Sequence, residues 1–216
     1  MKEKNDIFGI PLEKEFGFAY VQCVYTGTNG YMPNLLIKNL NYHSKILETS
    51  IDNLIDCEEL CYPFLMMDGP LLRGPYKWKR IGVSNVKEEI FIPDLRQPVG
   101  GLALIENYDW ANITWEIISD FNYTNPIAGV PYSSIRHLGL WRHSSPAAIR
   151  QFLSMFWLKK LGVEIRKIYT EEEIFGKGNF WTTAAFHEAE NLVFYSDIHK
   201  KYWGRVIPPS GSHPLH

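Results

Sequence analysis

The chain has 216 residues, 45% of them apolar and 21% charged, and a net charge of -2. That balance excludes a disordered segment, lacks the overall basic excess usual in a dedicated nucleic-acid binder, and supplies enough apolar side chains for a sizeable core in one domain or two small ones. Three cysteines, Cys23, Cys57 and Cys61, are too few and odd in number for a disulfide framework. The opening "MKEKNDIFGIPL" lacks the apolar run of a signal peptide, and no stretch approaches the roughly 20 apolar residues of a membrane span. The expected setting is the reducing cytoplasm.

Alternation begins at once. Phe8, Ile10 and Leu12 share one side of a first strand. Pro11 cannot donate a ladder hydrogen bond, so this strand ends there or lies at an edge. "EKE" at 13–15 forms a charged turn. Phe16, Phe18 and Tyr20 then face one way, with Gly17 and Ala19 on the other. Large rings opposite small residues suit a curved strand in a rolled sheet or small barrel. "TGTNG" at 26–30 breaks this strand, and "NLLIKNL" at 34–40 supplies a third. Between 43 and 61, Ile51, Leu54, Ile55 and Leu60 fit a short amphipathic helix. Further strands are expected in "YPFLMMDG", "YKWKRIGV", "EEIFIP", "GLALIEN" and "ITWEIISDF". The last sets Ile113, Trp115 and Ile117 against Thr114, Glu116 and Asp120.

The clearest helix spans 145–162. Ser145 is a suitable N-cap, Pro146 fits the first helical position and Gly162 the exit. Ile149, Phe152, Leu153, Phe156 and Trp157 follow the spacing of a buried helical face. A strand is expected over 163–169, and Thr170 with Glu173 forms a capping box for a short helix at 170–176. "FWTTAAF" and "LVFYSDI" read as strands around a polar "HEAEN" turn, and the tail 208–216 as flexible. The sum is a β-rich α+β fold: a rolled antiparallel sheet or small barrel at the N-terminus and one principal helix near 145–162. It is taken as one domain, 1–216, whose softest boundary falls near 122–146.

Chemistry-bearing residues are few. His187, Glu188 and Glu190 lack the second histidine four residues on that a zinc protease needs, since position 191 is Asn. Cys57 and Cys61 have no second pair to complete a structural zinc site. "GTNG" is too short for a phosphate loop. Neither metal nor cofactor is expected. "SSIRHLGLWRHSS" at 133–145 gathers Arg136, His137, Trp141, Arg142 and His143 among serines, the materials of a small hydrolase. It lacks both a nucleophile elbow and a carboxylate placed to orient either histidine. The basic run Arg73, Lys77, Lys79 and Arg80, with Tyr76 and Trp78, offers another alternative, a small-barrel nucleic-acid module. An acidic run, Asp52, Asp56, Glu58 and Glu59, offsets it.

"NDIFGIPLEKEFGFAYVQCVY", residues 5–25, resembles the opening of the immunity protein 26 family of bacterial polymorphic-toxin systems. Asp6, Ile7, Phe8, Ile10, Pro11, Leu12, Gly17 and Val21 carry the likeness. The chain is longer than the compact domain of that family, and the 145–162 helix reads as an addition. The resemblance implies a cytoplasmic protein, not an enzyme, that binds a cognate toxin domain and blocks its active site. Candidate partner-binding residues are Asp52, Asp56, Glu58 and Glu59, with Trp141, Arg142 and His143. Within the hairpin, only the Glu13–Glu15 turn is left for recognition.

Overall fold

The computed structural model describes residues 5–29, 32–66, 70, 72–84, 93–99, 112–119, 125–140 and 144–207. The strands expected at 88–93 and 101–107 and the tail 208–216 lie outside these residues, save for Pro93. Among the described residues, nine strands form two sheets. The first is antiparallel: β1 (Asp6–Pro11), β2 (Phe18–Asn29), β3 (Met32–Ser44), β4 (Glu59–Met66) and β5 (Lys79–Val83), in the order β4-β3-β2-β1-β5. It is open, with β4 and β5 at its edges, so the barrel alternative falls and the sheet alternative stands. Register shifts at Ala19/Val21 and Tyr25/Gly27 bend the β2–β3 ladder without closing it.

The opening hairpin forms with the expected alternation except at Phe16, which precedes β2 and packs on the Ala19 side, away from Phe18 and Tyr20. Phe8, Ile10, Leu12, Ala19, Val21 and Cys23 enter the largest core cluster. Ile7 and Tyr20 point to the other face, against Leu40 and Leu54. Pro11 pairs only with Phe18 of β2, because the β5 ladder stops at Gly9. The missing proline donor therefore costs nothing. The "TGTNG" segment does not break β2, which runs on to pair Asn29 with Met32. The 43–61 stretch contains no helix. It makes a turn at Ile51–Ile55 that seats Leu54 under the sheet, and Leu60 belongs to β4.

Of the charged turn, Glu13 and Lys14 are engaged and Glu15 is left exposed. Arg150 donates to Pro11 O (2.7 Å) and Glu13 Oε1 (3.0 Å), while Tyr169 Oη donates to Glu13 Oε2 (2.9 Å). Lys14 is paired with Glu173. Lys14 and Glu15 both take φ 54°, a left-handed conformation, between Glu13 and Lys14 contacts that fix the turn.

The helices cover the inner face. α2 (Pro146–Lys160) begins where expected, with Ser145 accepting from Ala148 N at 3.2 Å, and leaves through Gly162 at φ +70°. Its Ile149, Phe152, Leu153, Phe156 and Trp157 share one cluster with Phe8, Ile10, Val21 and Ile37. Each such side chain contributes about 1.5–3 kcal/mol of gross burial energy, so packing holds this helix more than propensity does. α3 (Glu171–Phe175) carries the complete Thr170–Glu173 capping box. Three expectations fail here. Residues 163–169 contain a 3-10 turn at Ile165–Lys167, "FWTTAAFHEAEN" is one helix, α4 (Phe180–Asn191), and "LVFYSDI" holds a 3-10 turn at Tyr195–Asp197 in place of a strand. Thr182, Ala185, Phe186 and Ala189 are its buried face, at helical spacing.

The second sheet is small: β6 (Leu95–Pro98), β7 (Trp115–Ile118), β8 (Ile127–Val130) and β9 (Gly139–Leu140), ordered β8-β7-β6-β9, with α1 (Tyr132–Ile135) before β9. As the alternation predicts, Ile113, Trp115 and Ile117 share one cluster. Gly139 sits where the sheets meet. A Cβ there would lie 2.6 Å from Pro63 O, so no side chain fits. Ser144 N then donates to Leu65 O (2.7 Å), covering part of the β4 edge.

Candidate functional site

The helical layer leaves the opposite face of the first sheet only partly covered. A groove of about 770 Å³ lies there. Its floor is apolar: Ile7 of β1, Leu36 and Leu40 of β3, and Leu54, all buried. Two charged segments border it. One carries Asp56, Glu58 and Glu59; the other carries Lys200, Lys201 and Arg205, beside Tyr195 and Trp203. The borders touch where Lys200 Nζ lies 4.0 Å from Glu58 Oε1. Lys38, rising from the floor, pairs with Glu59 at 3.3 Å.

The basic border is held from behind by polar contacts. Asp94 N donates to Gly204 O (2.8 Å), and the Asp94 carboxylate accepts from Arg205 at 3.3 Å. Ile207 N donates to Ser134 O (3.0 Å), and His137 Nε2 lies 2.6 Å from Arg205 O. Burial lowers the His137 pKa, favouring the neutral ring. The Tyr195 and Trp203 rings stack at 4.9 Å, and Trp203 Nε1 donates to Tyr195 O (3.0 Å).

The His137 turn is in turn fixed by a buried ion pair. Arg96 of β6 donates to Leu138 O (2.8 Å) and to Glu188 Oε2 of α4 (2.6 Å), with both side chains 1% exposed. Tyr62 Oη of β4 donates to the same carboxylate oxygen at 2.6 Å. The guanidinium lies 5.0 Å from the Trp115 ring and 5.5 Å from that of Tyr132. Burial opposes the Arg96 charge, but Glu188, with Tyr132 and Tyr62, favours it and the pKa is raised. Burial pushes the Tyr62 phenol well up and that of Tyr132 to about 12, so both stay neutral, and Tyr62 keeps the proton it donates to Glu188. This cluster joins both sheets to α4.

Of the candidate partner-binding residues, Asp56, Glu58 and Glu59 border the groove. Asp52 does not: it is exposed and accepts from Ser50 Oγ at 2.6 Å. Trp141, Arg142 and His143 lie outside the described residues. Sequence reasoning missed the basic border, although "HKKYWGR" at 199–205 interleaves cations with aromatics, a recognisable signal. Glu171 and Glu173 are occupied by Arg166 and Lys14.

The hydrolase materials do not assemble at His137, whose ring Nε2 contacts the Arg205 carbonyl rather than a serine. The basic run loses its stacking residue, because Trp78 is 2% exposed and packs edge-on against Phe8. Arg150 covers the Tyr76 ring at 3.9 Å, and Arg80 pairs with Asp6 at 2.8 Å. Cys61 is buried on β4, and Cys57 sits half-buried beside the groove. Burial raises both thiol pKa values. His187, Glu188 and Glu190 lie on a helix, not a turn. Among the described residues no group of three or more His, Cys, Asp or Glu could hold a metal ion, and no helix is long and apolar enough to cross a membrane. Comparison with known proteins finds no matching family model, curated protein or solved structure.

Proposed function

We propose that the protein is a cytoplasmic immunity protein that binds a cognate bacterial toxin domain and neutralises it. The observation that carries this reading is the opening pattern from Asp6 to Val21, with its resemblance to the immunity protein 26 family. The groove supports it. Neutralising a partner by occupation calls for a pre-organised surface with apolar contacts and charges that select one partner. An apolar floor between acidic and basic borders has those properties. The stacked Tyr195–Trp203 pair adds a rigid aromatic element to its side.

Co-expression with toxin domains encoded beside its gene tests the reading. At least one should lose its toxicity and co-purify with the chain. Failure to neutralise or bind any of them overturns the proposal.

A further inference from the structure

We propose that the groove receives a projecting polypeptide segment of the partner, one carrying a basic and an acidic side chain on an apolar stem. The inference rests on the reading of the chain as a protein-binding protein, and it names the part of the partner that is recognised.

The chemistry of the groove selects this occupant. Exposed Ile55 and half-buried Trp203 offer apolar contact above the buried floor of Ile7, Leu36 and Leu40. A polyanion, whether nucleic acid or an anionic membrane, would bring phosphates against Asp56, Glu58 and Glu59. A purely cationic segment would meet Lys200, Lys201 and Arg205 instead. Only an occupant of both signs matches both borders.

The existing ion pairs sharpen the match. Lys38 is committed to Glu59 and Arg205 to Asp94, each at 3.3 Å. Asp56 and Lys201, on opposite borders, form no ion pair among the described residues. Glu58 and Lys200 meet only at 4.0 Å, with side chains 62% and 74% exposed. Such a pair costs little to open. An incoming cation can therefore take Asp56 and Glu58 while an incoming anion takes Lys200 and Lys201. The opened pair is replaced by two new ones, and no charge is stranded. The backbone of the basic border is already fixed through Asp94, Ser134 and His137, so little ordering cost remains there.

A phage-displayed random peptide library panned on the full chain at low salt provides the probe. Enriched peptides should combine Lys or Arg with Asp or Glu and at least one large apolar residue. Fluorescence anisotropy of a labelled enriched peptide should show binding weakened at least about tenfold by Asp56→Lys/Glu58→Lys, and likewise by Lys200→Glu/Lys201→Glu. The milder Asp56→Asn and Lys201→Met should each weaken it less, and unchanged circular dichroism confirms that the variants fold. Enrichment without mixed charge, no enrichment, or affinity within about twofold of wild type in both border variants overturns the proposal. The two readings fail separately. A toxin still neutralised after both borders are reversed removes the groove alone. Border-dependent peptide binding with no toxin neutralised removes the immunity role alone.

Discussion

Replacing Glu188 by alanine leaves the Arg96 guanidinium in a site 1% exposed, without its counter-ion. It also removes the acceptor of Tyr62 Oη, a 2.6 Å bond between buried groups. Removing one partner of a buried pair costs about 3–5 kcal/mol, because the remaining charge has neither solvent nor partner. For a chain of this size that corresponds to a fall of about 6–20 °C in melting temperature. Two circumstances place the loss toward the lower half of that range. Leu138 O still accepts from Arg96 Nε at 2.8 Å, and the Trp115 and Tyr132 rings still flank the cation. The double variant Arg96→Met/Glu188→Leu removes both charges at similar volume and should recover most of the loss. Urea denaturation of the wild type, Arg96→Met, Glu188→Leu and the double variant gives the coupling energy directly. Single variants within about 1 kcal/mol of wild type would refute the reasoning, as would a double variant no more stable than the singles.

Two further predictions concern the parts this pair supports. Burial lowers the folded-state pKa of His137 below its ordinary 6.5, so the unfolded chain takes up a proton first as the pH falls. The neutral ring's contribution is intact above about pH 6.5 and is lost on acidification toward the folded-state pKa. Thermal melts should therefore drop more between pH 7.5 and pH 5.5 for wild type than for His137→Gln; parallel slopes would count against a buried neutral histidine. Gly139→Ala places a Cβ 2.6 Å from Pro63 O, where backbone must shift, and should cost about 1–3 kcal/mol in urea denaturation. A wild-type midpoint would show that β9 is not wedged between β4 and β6.

What the sequence made legible was local. The opening hairpin, the Ser145 cap with Gly162 at the exit, and the Thr170–Glu173 box are each encoded within a few residues, and each formed. Errors arose where two periodicities coexist. "FWTTAAF" offers β-branched and aromatic residues suited to a strand, yet Thr182, Ala185, Phe186 and Ala189 also fit a helical face. The outcome was decided by α2, which α4 packs against. "TGTNG" carries turn residues, but the hairpin reverses only after Asn29, and the ladder absorbs them. The candidate site divides in the same way. Its acidic border was visible as a charge run in one stretch. Its basic border comes from residues 200–205, brought to the sheet by hydrogen bonds from Asp94, Ser134 and His137 that no local pattern announces. The Arg96–Glu188 pair spans 92 positions, and burial of a glutamate within "HEAEN" has no local cue.

The shared cluster of α2 and the opening hairpin bears on transplantation. Phe152, Phe156 and Trp157 of the helix pack in the same cluster as Phe8, Ile10 and Val21. Arg150 fixes the turn between the first two strands. Grafted alone onto another scaffold, residues 5–66 would present a sheet with one bare apolar face, a surface prone to self-association. The opening hairpin and the late helix are thus one packing unit, and a graft of the hairpin must carry a cover for the same face.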